Sequence, residues 1–342
     1  MDHHEMGASA GDVTAPSAAF ATGYDAATKA AGVRVMRERM VVRVVGDDRV
    51  SFFHGMCSAD VKGASAGSIL PALFLTEHAH VIADLFIWVT DDSLLLEIDS
   101  GAWQRTREHL ERLLVADDVE FEDTDLAVID VEGPRSSDTA ALLGARDASS
   151  PQSWRYLPVN ELLIGNLPRV GSPAFTILAP VERADSIAAK IIAAIPGAAA
   201  IDDAVVETLR IENGLARAGV DTGEKTLALE ARLNRAISFN KGCYLGQETI
   251  ERATARGALK KQLFVLKFPA GKIPPAGAAL MLDGKEVGRV TSTAISPRAG
   301  TIGLAILHHS AWAAGTKLSL DGDGDAAIVG DIPSQSSGRM LD

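Results

Sequence analysis

The pattern of apolar residues changes at Leu263, and this change constrains the fold more than any other feature of the chain. Short apolar runs follow, separated by turns rich in Pro and Gly: Leu263–Phe268, Ala279–Leu282, Glu286–Thr291 and Ile302–Leu307. Short strands between such turns are typical of a small β-barrel or sandwich. We therefore predict a C-terminal β-barrel over residues 261–330.

The chain before residue 261 mixes strands and helices without a steady alternation. Apolar runs such as Met40–Val45 and Ser93–Ile98 predict strands, and Val181–Ile195 predicts a helix that Pro196-Gly197 ends,. A mixture of this kind indicates an α+β fold and not a doubly wound parallel sheet. Residues 33–260 are therefore predicted to form one α+β region.

The two ends of the chain lack a sustained apolar pattern. Residues 1–32 are rich in Ala, Gly, Ser and Thr, so we predict a disordered N-terminal arm, and 331–342 are predicted to be a flexible tail,. The N-terminus does not resemble a secretory signal, and no apolar run approaches the ~20 residues of a membrane span. Two cysteines cannot form a disulfide framework,. We expect a cytoplasmic protein without a membrane partner.

Charge is distributed unevenly along an acidic chain. The net charge of −12 disfavours direct nucleic-acid binding, which needs a basic surface,. Between Lys225 and Lys267, however, nine Lys or Arg residues accompany three acids, so this span carries +6. The span is either a solvated helix face or a site for an anionic ligand.

Cys243 is one of only two cysteines, and it lies between Lys241-Gly242 and Gly246-Gln247-Glu248. The thiolate is the reactive form of cysteine, and a nearby cation or helix start favours it. We therefore predict a chemically reactive Cys243, whereas Cys57 is predicted to be a small buried residue. One such thiol cannot hold an iron–sulfur cluster, which takes four, so cluster chemistry would be transient or shared and no resident metal is expected.

Glu212 stands at the end of a predicted helix. Asp202 can cap this helix and Gly214 can end it, and Val205, Leu209 and Glu212 share one face,. A carboxylate there lies near the negative end of the helix dipole. Glu212 therefore either reaches water at a frayed end or is kept to hydrogen-bond an N–H-rich ligand.

Asp84 lies in a strand pattern that places it on one face with Ile82 and Phe86,. An acid amid so much apolar surface is costly unless it is used or paired. Asp84 is therefore a candidate site residue, with a polar position on a wet face as the alternative.

Two segments together resemble a known family. Lys241–Glu248, Lys-Gly-Cys-Tyr-Leu-Gly-Gln-Glu, is similar to the signature of the YgfZ-type folate-binding proteins, which are relatives of the glycine cleavage T-protein with a mitochondrial counterpart in iron–sulfur assembly. Leu209–Leu215, Leu-Arg-Ile-Glu-Asn-Gly-Leu, resembles a segment of the wider T-protein superfamily. The resemblance covers roughly residues 35–325.

The resemblance implies a three-lobed α+β body around a tetrahydrofolate pocket, closed by the C-terminal β-barrel. It makes Glu212 the glutamate that contacts the pterin ring, and Asp84 the aspartate at the reacting folate nitrogen. This chain departs from the T-protein pattern at Ala83, which replaces a second acid, and at Ala79-His80, which replaces the usual glycine. Those departures weaken the expectation of methylene transfer.

The resemblance also assigns Cys243 and Asp84 as catalytic candidates, and Glu212, Asp84, Lys241 and Arg252 as folate-binding residues, because folate carboxylates pair with arginine and lysine. Three functions follow. The first is a tetrahydrofolate-dependent accessory factor for iron–sulfur cluster assembly or repair, serving tRNA-modifying enzymes, with iron–sulfur proteins or assembly factors as partners. The second is an aminomethyltransferase or a related demethylase, and the third is a folate-binding module without catalysis.

Overall fold

The computed structural model describes residues 17–145, 151–171, 173–255, 259–320 and 323–330. Within these ranges the helices are α1 Ala18–Lys29, α2 Arg49–Met56, α3 Ser100–Glu111, α4 Asp138–Leu142, α5 Ala184–Ala194, α6 Asp203–Glu212 and α7 Gln247–Ala255, with 3-10 turns at Val181–Arg183, Asn234–Ala236 and His309–Ala311. The strands are β1 Gly32–Met36, β2 Arg39–Val45, β3 Ile69–Leu75, β4 Val81–Val89, β5 Leu94–Asp99, β6 Glu120–Asp123, β7 Leu126–Glu132, β8 Tyr156–Val159, β9 Leu162–Asn166, β10 Ala174–Pro180, β11 Ala199–Ala200, β12 Lys261–Lys267, β13 Ala279–Leu282, β14 Lys285–Ser296, β15 Gly300–His308, β16 Lys317–Leu320 and β17 Asp323–Val329.

The first lobe is a five-stranded antiparallel sheet in the order β3-β4-β5-β2-β6. Every residue of β3 is buried, because both faces of this strand are covered. Ala72 and Phe74 join the cluster that includes α2, whereas Leu73 and Leu75 pack against residues of the 228–250 region. Alternate side chains of a strand point to opposite faces, so this one strand connects two cores.

The second lobe is a six-stranded sheet in the order β11-β1-β7-β10-β9-β8. One face packs against α5 through Ile187 and Ile191. The other face meets the first sheet in a shared cluster that includes Trp88 of β4 and Val128 of β7. The two sheets therefore form one body and not two independent domains.

A buried charge cluster also joins the two sheets. Arg169 lies 2.7 Å from the carboxylate of Glu97 on β5 and 3.3 Å from that of Asp130 on β7, and Arg39 reaches Glu97 at 3.1 Å. Burial alone would raise the pKa of Glu97, but the Arg169 and Arg39 guanidinium groups outweigh it and lower that pKa,. Burial raises the pKa of Asp130. Residues from both sheets thus share one ionic network.

The prediction of a disordered arm over residues 1–32 is wrong for the part that the structure describes. Ser17 caps α1 by accepting a hydrogen bond from the Phe20 N–H at 3.1 Å. Phe20 and Tyr24 are buried in a cluster with residues of α6. A few aromatic and alanine side chains are enough to dock this helix, because the partner surface is supplied by a distant part of the chain. Residues 1–16 lie outside the described residues.

The third lobe is a closed barrel in the order β12-β15-β14-β13-β16-β17. It closes where β12 pairs with β17 at Leu266 and Val329. The barrel packs against α6, whose Ile211 shares a buried cluster with Leu263 and Leu304. The predicted three-lobed α+β architecture with a C-terminal barrel is confirmed. The predicted tail, 331–342, lies outside the described residues.

No helix in the described part of the chain is long and apolar enough to cross a membrane.

Candidate functional site

The end of α6 carries a buried carboxylate at a junction of three segments. Asp202 caps this helix by accepting from the Val205 N–H at 3.0 Å, so the helix begins and ends where its sequence predicts. Glu212 is its last residue, and its side chain is only 1% exposed. The expectation that Glu212 reaches water at a frayed end is therefore wrong.

Three donors from outside α6 reach the Glu212 carboxylate. The Tyr24 hydroxyl of α1 donates to Oε1 at 2.6 Å, and the Ser296 hydroxyl donates to the same oxygen. Arg298, in the turn between β14 and β15, donates to Oε2 at 2.6 Å. Burial first, and then the Glu212 contact, raise the pKa of Tyr24 to about 12, so this phenol remains a donor at neutral pH,.

Arg210 fixes α6 against the barrel. This guanidinium is buried and donates to Asp221 at 2.6 Å and to the Ser292 hydroxyl of β14 at 2.9 Å. It also pairs with Glu207 on its own helix. The position of Glu212 relative to the barrel is therefore set by a second buried ionic network.

A cleft of about 420 Å³ opens beside Glu212, between α6 and the barrel. Its walls are largely apolar, from residues such as Val265, Ile302 and Val329, and its charged members are Glu212, Arg298 and Lys267. Ligand pockets commonly have this size and this combination of apolar walls with a few polar groups. The cleft can therefore take a flat ring with hydrogen-bond donors at one edge and negative charge elsewhere.

Asp84 does not line this cleft. It is partly exposed on β4, and its carboxylate acts electrostatically on Arg235, whose guanidinium is buried. Burial lowers the pKa of Arg235, and Asp84 partly offsets that effect. Asp84 is thus a partly exposed acid that acts electrostatically on a nearby cation, and its partial exposure accounts for an acid on this strand.

One loop, residues 167–171, contacts the surroundings of both acids. Arg235 donates to the carbonyl oxygens of Pro168 and Arg169, at 3.4 and 3.3 Å. The Asn213 amide, directly after Glu212, donates to the Val170 carbonyl at 2.7 Å. This short loop therefore contacts both Arg235, on which Asp84 acts electrostatically, and Asn213, the residue after Glu212, although 128 residues of sequence separate the two acids (212 − 84).

Lys241 is used inside the fold. Its ammonium donates to the carbonyl oxygens of His54, Cys57 and Ala59, which accounts for all three donors of an ammonium group,. Burial is the main cause that lowers its pKa. Lys241 therefore has no donor left for a folate carboxylate, and its charge is directed into the first lobe, toward the buried Cys57.

The segment around Cys243 is a tightly built loop that leaves this thiol exposed. Tyr244 is buried, with its ring 4.9 Å from the Lys241 ammonium. Gly246 has a φ of +87°, and a Cβ there would lie 2.6 Å from the Thr76 carbonyl oxygen. The neighbours of Cys243 thus serve to anchor the loop. Among the described residues, no group of three or more His, Cys, Asp or Glu side chains is arranged to hold a metal ion.

The basic span between Lys225 and Lys267 does not form a single surface. Lys241 is buried and Arg235 is half-buried. Arg232 donates to the Leu263 carbonyl at 2.7 Å and lies over the Phe264 ring. Arg252 is exposed on α7 and lies 3.7 Å from Glu248, one turn earlier on the same helix. Of the two sequence interpretations, the solvated helix face describes Arg252, whereas Arg232 and Lys241 are structural cations that neither interpretation anticipated.

Sequence reasoning missed three residues of this site: Tyr24, Ser296 and Arg298. Tyr24 lies in the segment predicted to be disordered, and the other two lie at a barrel turn. The one available signal was Ser296-Pro297, a few residues beyond the predicted strand Glu286–Thr291, which marks a turn but not a site,. Only tertiary packing brings these residues to Glu212.

The comparisons with known proteins agree with this architecture. Residues 14–241 match the GCVT N-terminal domain, and residues 261–330 match the glycine cleavage T-protein C-terminal barrel domain. Over 303 residues the chain is 29% identical to a chloroplastic protein of Arabidopsis thaliana named as a transferase, covering 85% of this chain and 68% of that protein. It is 24% identical to the aminomethyltransferase of Caldanaerobacter subterraneus subsp. tengcongensis over 295 residues, covering 83% of this chain and 79% of that protein.

A solved structure shares the fold over nearly the whole chain. Glycine cleavage system aminomethyltransferase T from Bartonella henselae superposes with a TM-score of 0.83 at 20% identity, covering 92% of this chain and 89% of that one. Both the two-lobed body and the barrel are included in these matches. The chain belongs to the glycine cleavage T-protein family.

Proposed function

We propose that this protein binds a tetrahydrofolate and acts as a folate-dependent group transferase of the aminomethyltransferase type. The observation that carries the proposal is the buried Glu212 carboxylate, held by donors from α1 and the barrel at the edge of a cleft of about 420 Å³. Several relatives of this chain are named aminomethyltransferases, which supports the same class of reaction.

The residues of the cleft fit a folate. A pterin ring presents adjacent N–H donors along one edge, and a buried carboxylate is the acceptor that suits them. Apolar walls suit the ring faces, and Lys267 supplies positive charge for the carboxylates of a glutamate tail,. When bound, tetrahydrofolate would supply the nitrogen that accepts a one-carbon unit.

The chain's own residues have separate roles in this proposal. Glu212 orients the ring, because its carboxylate is fixed by hydrogen bonds and cannot rotate freely. Asp84 acts electrostatically or as an acid or base, with Arg235 behind it. Ala83 replaces the second acid of the T-protein pattern, so Asp84 acts here without an acidic neighbour at that position. Lys241 positions the loop of Cys243 and does not contact the ligand.

A second candidate function rests on Cys243. This thiol is exposed on a loop whose flanking residues anchor it, and the loop has the motif that resembles the YgfZ-type proteins. We propose on this basis an accessory role in iron–sulfur cluster assembly or repair, with the cluster as cargo and with iron–sulfur proteins or assembly factors as partners. The tRNA-modifying iron–sulfur enzymes are the proposed beneficiaries, and the cytoplasm is the proposed compartment.

Calorimetric titration with tetrahydrofolate tests the binding step. Glu212→Gln should weaken binding by about 1–3 kcal/mol, the scale of losing a charge-assisted hydrogen bond. Glu248→Gln is the matched control, because Glu248 is an exposed glutamate of α7 outside the cleft. Equal affinity of Glu212→Gln and wild type would remove Glu212 from the binding site.

Two assays on the same variants separate the candidate functions. Transfer of an aminomethyl group to tetrahydrofolate by wild type, lost in Asp84→Asn and retained in Cys243→Ser, would support the transferase. Rescue of an iron–sulfur enzyme in cells that lack this protein, lost in Cys243→Ser and retained in Asp84→Asn, would support the accessory role. Absence of both activities in wild type would refute both.

A further inference from the structure

We infer that Arg298 occupies the ligand's place on Glu212 in the free protein and is displaced when the ligand binds. This inference rests on the proposed function, because it specifies how the same cleft selects its ligand. Arg298 would be a specificity-determining residue: only a ring that presents an N–H donor along its edge, as a pterin does, can replace its contact with the carboxylate.

The three donors to Glu212 differ in how freely they can leave. Tyr24 and Ser296 are buried, and the Ser296 oxygen also accepts from two backbone N–H groups, so neither hydroxyl can turn into solvent. The Arg298 side chain is 66% exposed, although the carboxylate that it contacts is 1% exposed. Arg298 is therefore the only one of these three donors that can leave by rotation of a side chain.

The backbone at Arg298 stays in place during such a rotation. The Ser296 hydroxyl oxygen accepts hydrogen bonds from the N–H groups of Arg298 and Ala299, at 3.0 and 2.8 Å. The turn is thus tied to the same serine that donates to Glu212. Because the backbone is fixed and the side chain is long and exposed, Arg298 can open and close access to Glu212 by side-chain rotation alone, as a local gate without movement of a lobe.

The chemistry of the guanidinium group identifies the class of ligand. Arg298 places an N–H of its planar guanidinium on Oε2 of the carboxylate, and the 2-amino-4-oxo edge of a pterin is a cyclic guanidine that can supply an N–H to the same oxygen,. The exchange therefore replaces donor with donor, and Glu212 is not left unsatisfied. A ring that presents only acceptors along its edge has nothing to offer in exchange, and Arg298 would exclude it.

The test uses 6-methyltetrahydropterin, the ring without the glutamate tail, titrated into the full-length protein by calorimetry. Arg298→Ala should bind it roughly 2- to 5-fold more tightly than wild type, because the competing exposed ion pair is gone. Arg298→Lys, which keeps the charge but lacks the planar donors, should fall between the two. On a Glu212→Gln background the difference should vanish. Equal or weaker binding by Arg298→Ala overturns the gate while leaving folate binding intact.

A second probe keeps the inference separable from the proposed function. Methylguanidine should raise the melting temperature of Arg298→Ala, but not that of wild type or of the Glu212→Gln, Arg298→Ala double variant. If no variant binds the pterin, the proposed folate function fails. Selective stabilisation by methylguanidine would then still support a guanidine-selective carboxylate, and its absence would overturn the inference as well.

Discussion

Gly246 makes the loop of Cys243 sensitive to a single methyl group. Its φ of +87° lies in the region that disfavours residues with a side chain, which costs roughly 1–2 kcal/mol,. A Cβ at Gly246 would also lie 2.6 Å from the Thr76 carbonyl oxygen and 3.2 Å from the Ala79 Cα. Both neighbours are backbone atoms, so relief requires movement of the β3–β4 turn, at about 1–3 kcal/mol for overpacking. We expect Gly246→Ala to lower the free energy of unfolding by about 2–5 kcal/mol.

Gly242→Ala is the matched control on the other side of Cys243. Gly242 does not have a positive φ, and the nearest atom to its added Cβ is His54 Nε2 at 3.6 Å, an ordinary contact. This variant should lie within about 0.5 kcal/mol of wild type or be slightly more stable. Urea unfolding followed by circular dichroism measures both. Equal midpoints for Gly246→Ala and Gly242→Ala would refute the argument that the loop is rigidly seated on the first lobe.

Three further predictions follow from burial and charge. Iodoacetamide should modify the exposed Cys243 in the native protein but not Cys57, because burial raises the pKa of the Cys57 thiol to about 11,. Peptide mass spectrometry identifies the labelled cysteine, and labelling of Cys57 would contradict its burial. Unfolded Tyr24 loses its proton near pH 10.0 and folded Tyr24 near pH 12, so the unfolded state binds fewer protons in that window and stability falls as pH rises through it,. The urea midpoint of Tyr24→Phe should therefore drop less than that of wild type between about pH 9 and about pH 11, and an equal drop would count against this pKa. Glu97→Gln should cost about 3–5 kcal/mol of unfolding free energy, because Arg169 and Arg39 lose the buried carboxylate that they share,. A loss below about 1 kcal/mol would disprove a tightly paired network.

Elements with local signals were predictable from sequence. Helix α6 begins after Asp202 and ends before Gly214, as its capping residue and its glycine indicate. The barrel strands follow their turn residues in the same way. At the start of α3 the sequence offers two adjacent caps, Asp99 and Ser100, and the structure uses Asp99, which accepts from the Ala102 N–H at 3.2 Å. Both residues are common helix caps, so local pattern alone does not separate them.

The surroundings of Glu212 were not predictable, because they come from distant parts of the chain. Tyr24 is 188 residues away and Arg298 is 86 residues away. The basic span between Lys225 and Lys267 did not predict a single charged surface, for a related reason. Arg235 and Lys241 turn inward to carbonyl oxygens, and sequence position alone does not distinguish such a cation from one that faces water.

The convergence on Glu212 also has a consequence for biosynthesis. A ribosome produces α6 long before it produces the turn that contains Ser296 and Arg298, since synthesis runs from the N-terminus. Until that turn emerges, Tyr24 is the only one of the three donors available to the carboxylate. A nascent or prematurely terminated chain therefore exposes an incomplete ligand site and the face of α6 that the barrel would cover. Chaperones and proteases can recognise such an exposed apolar face. Ligand binding should become possible only after the last lobe of the chain has folded.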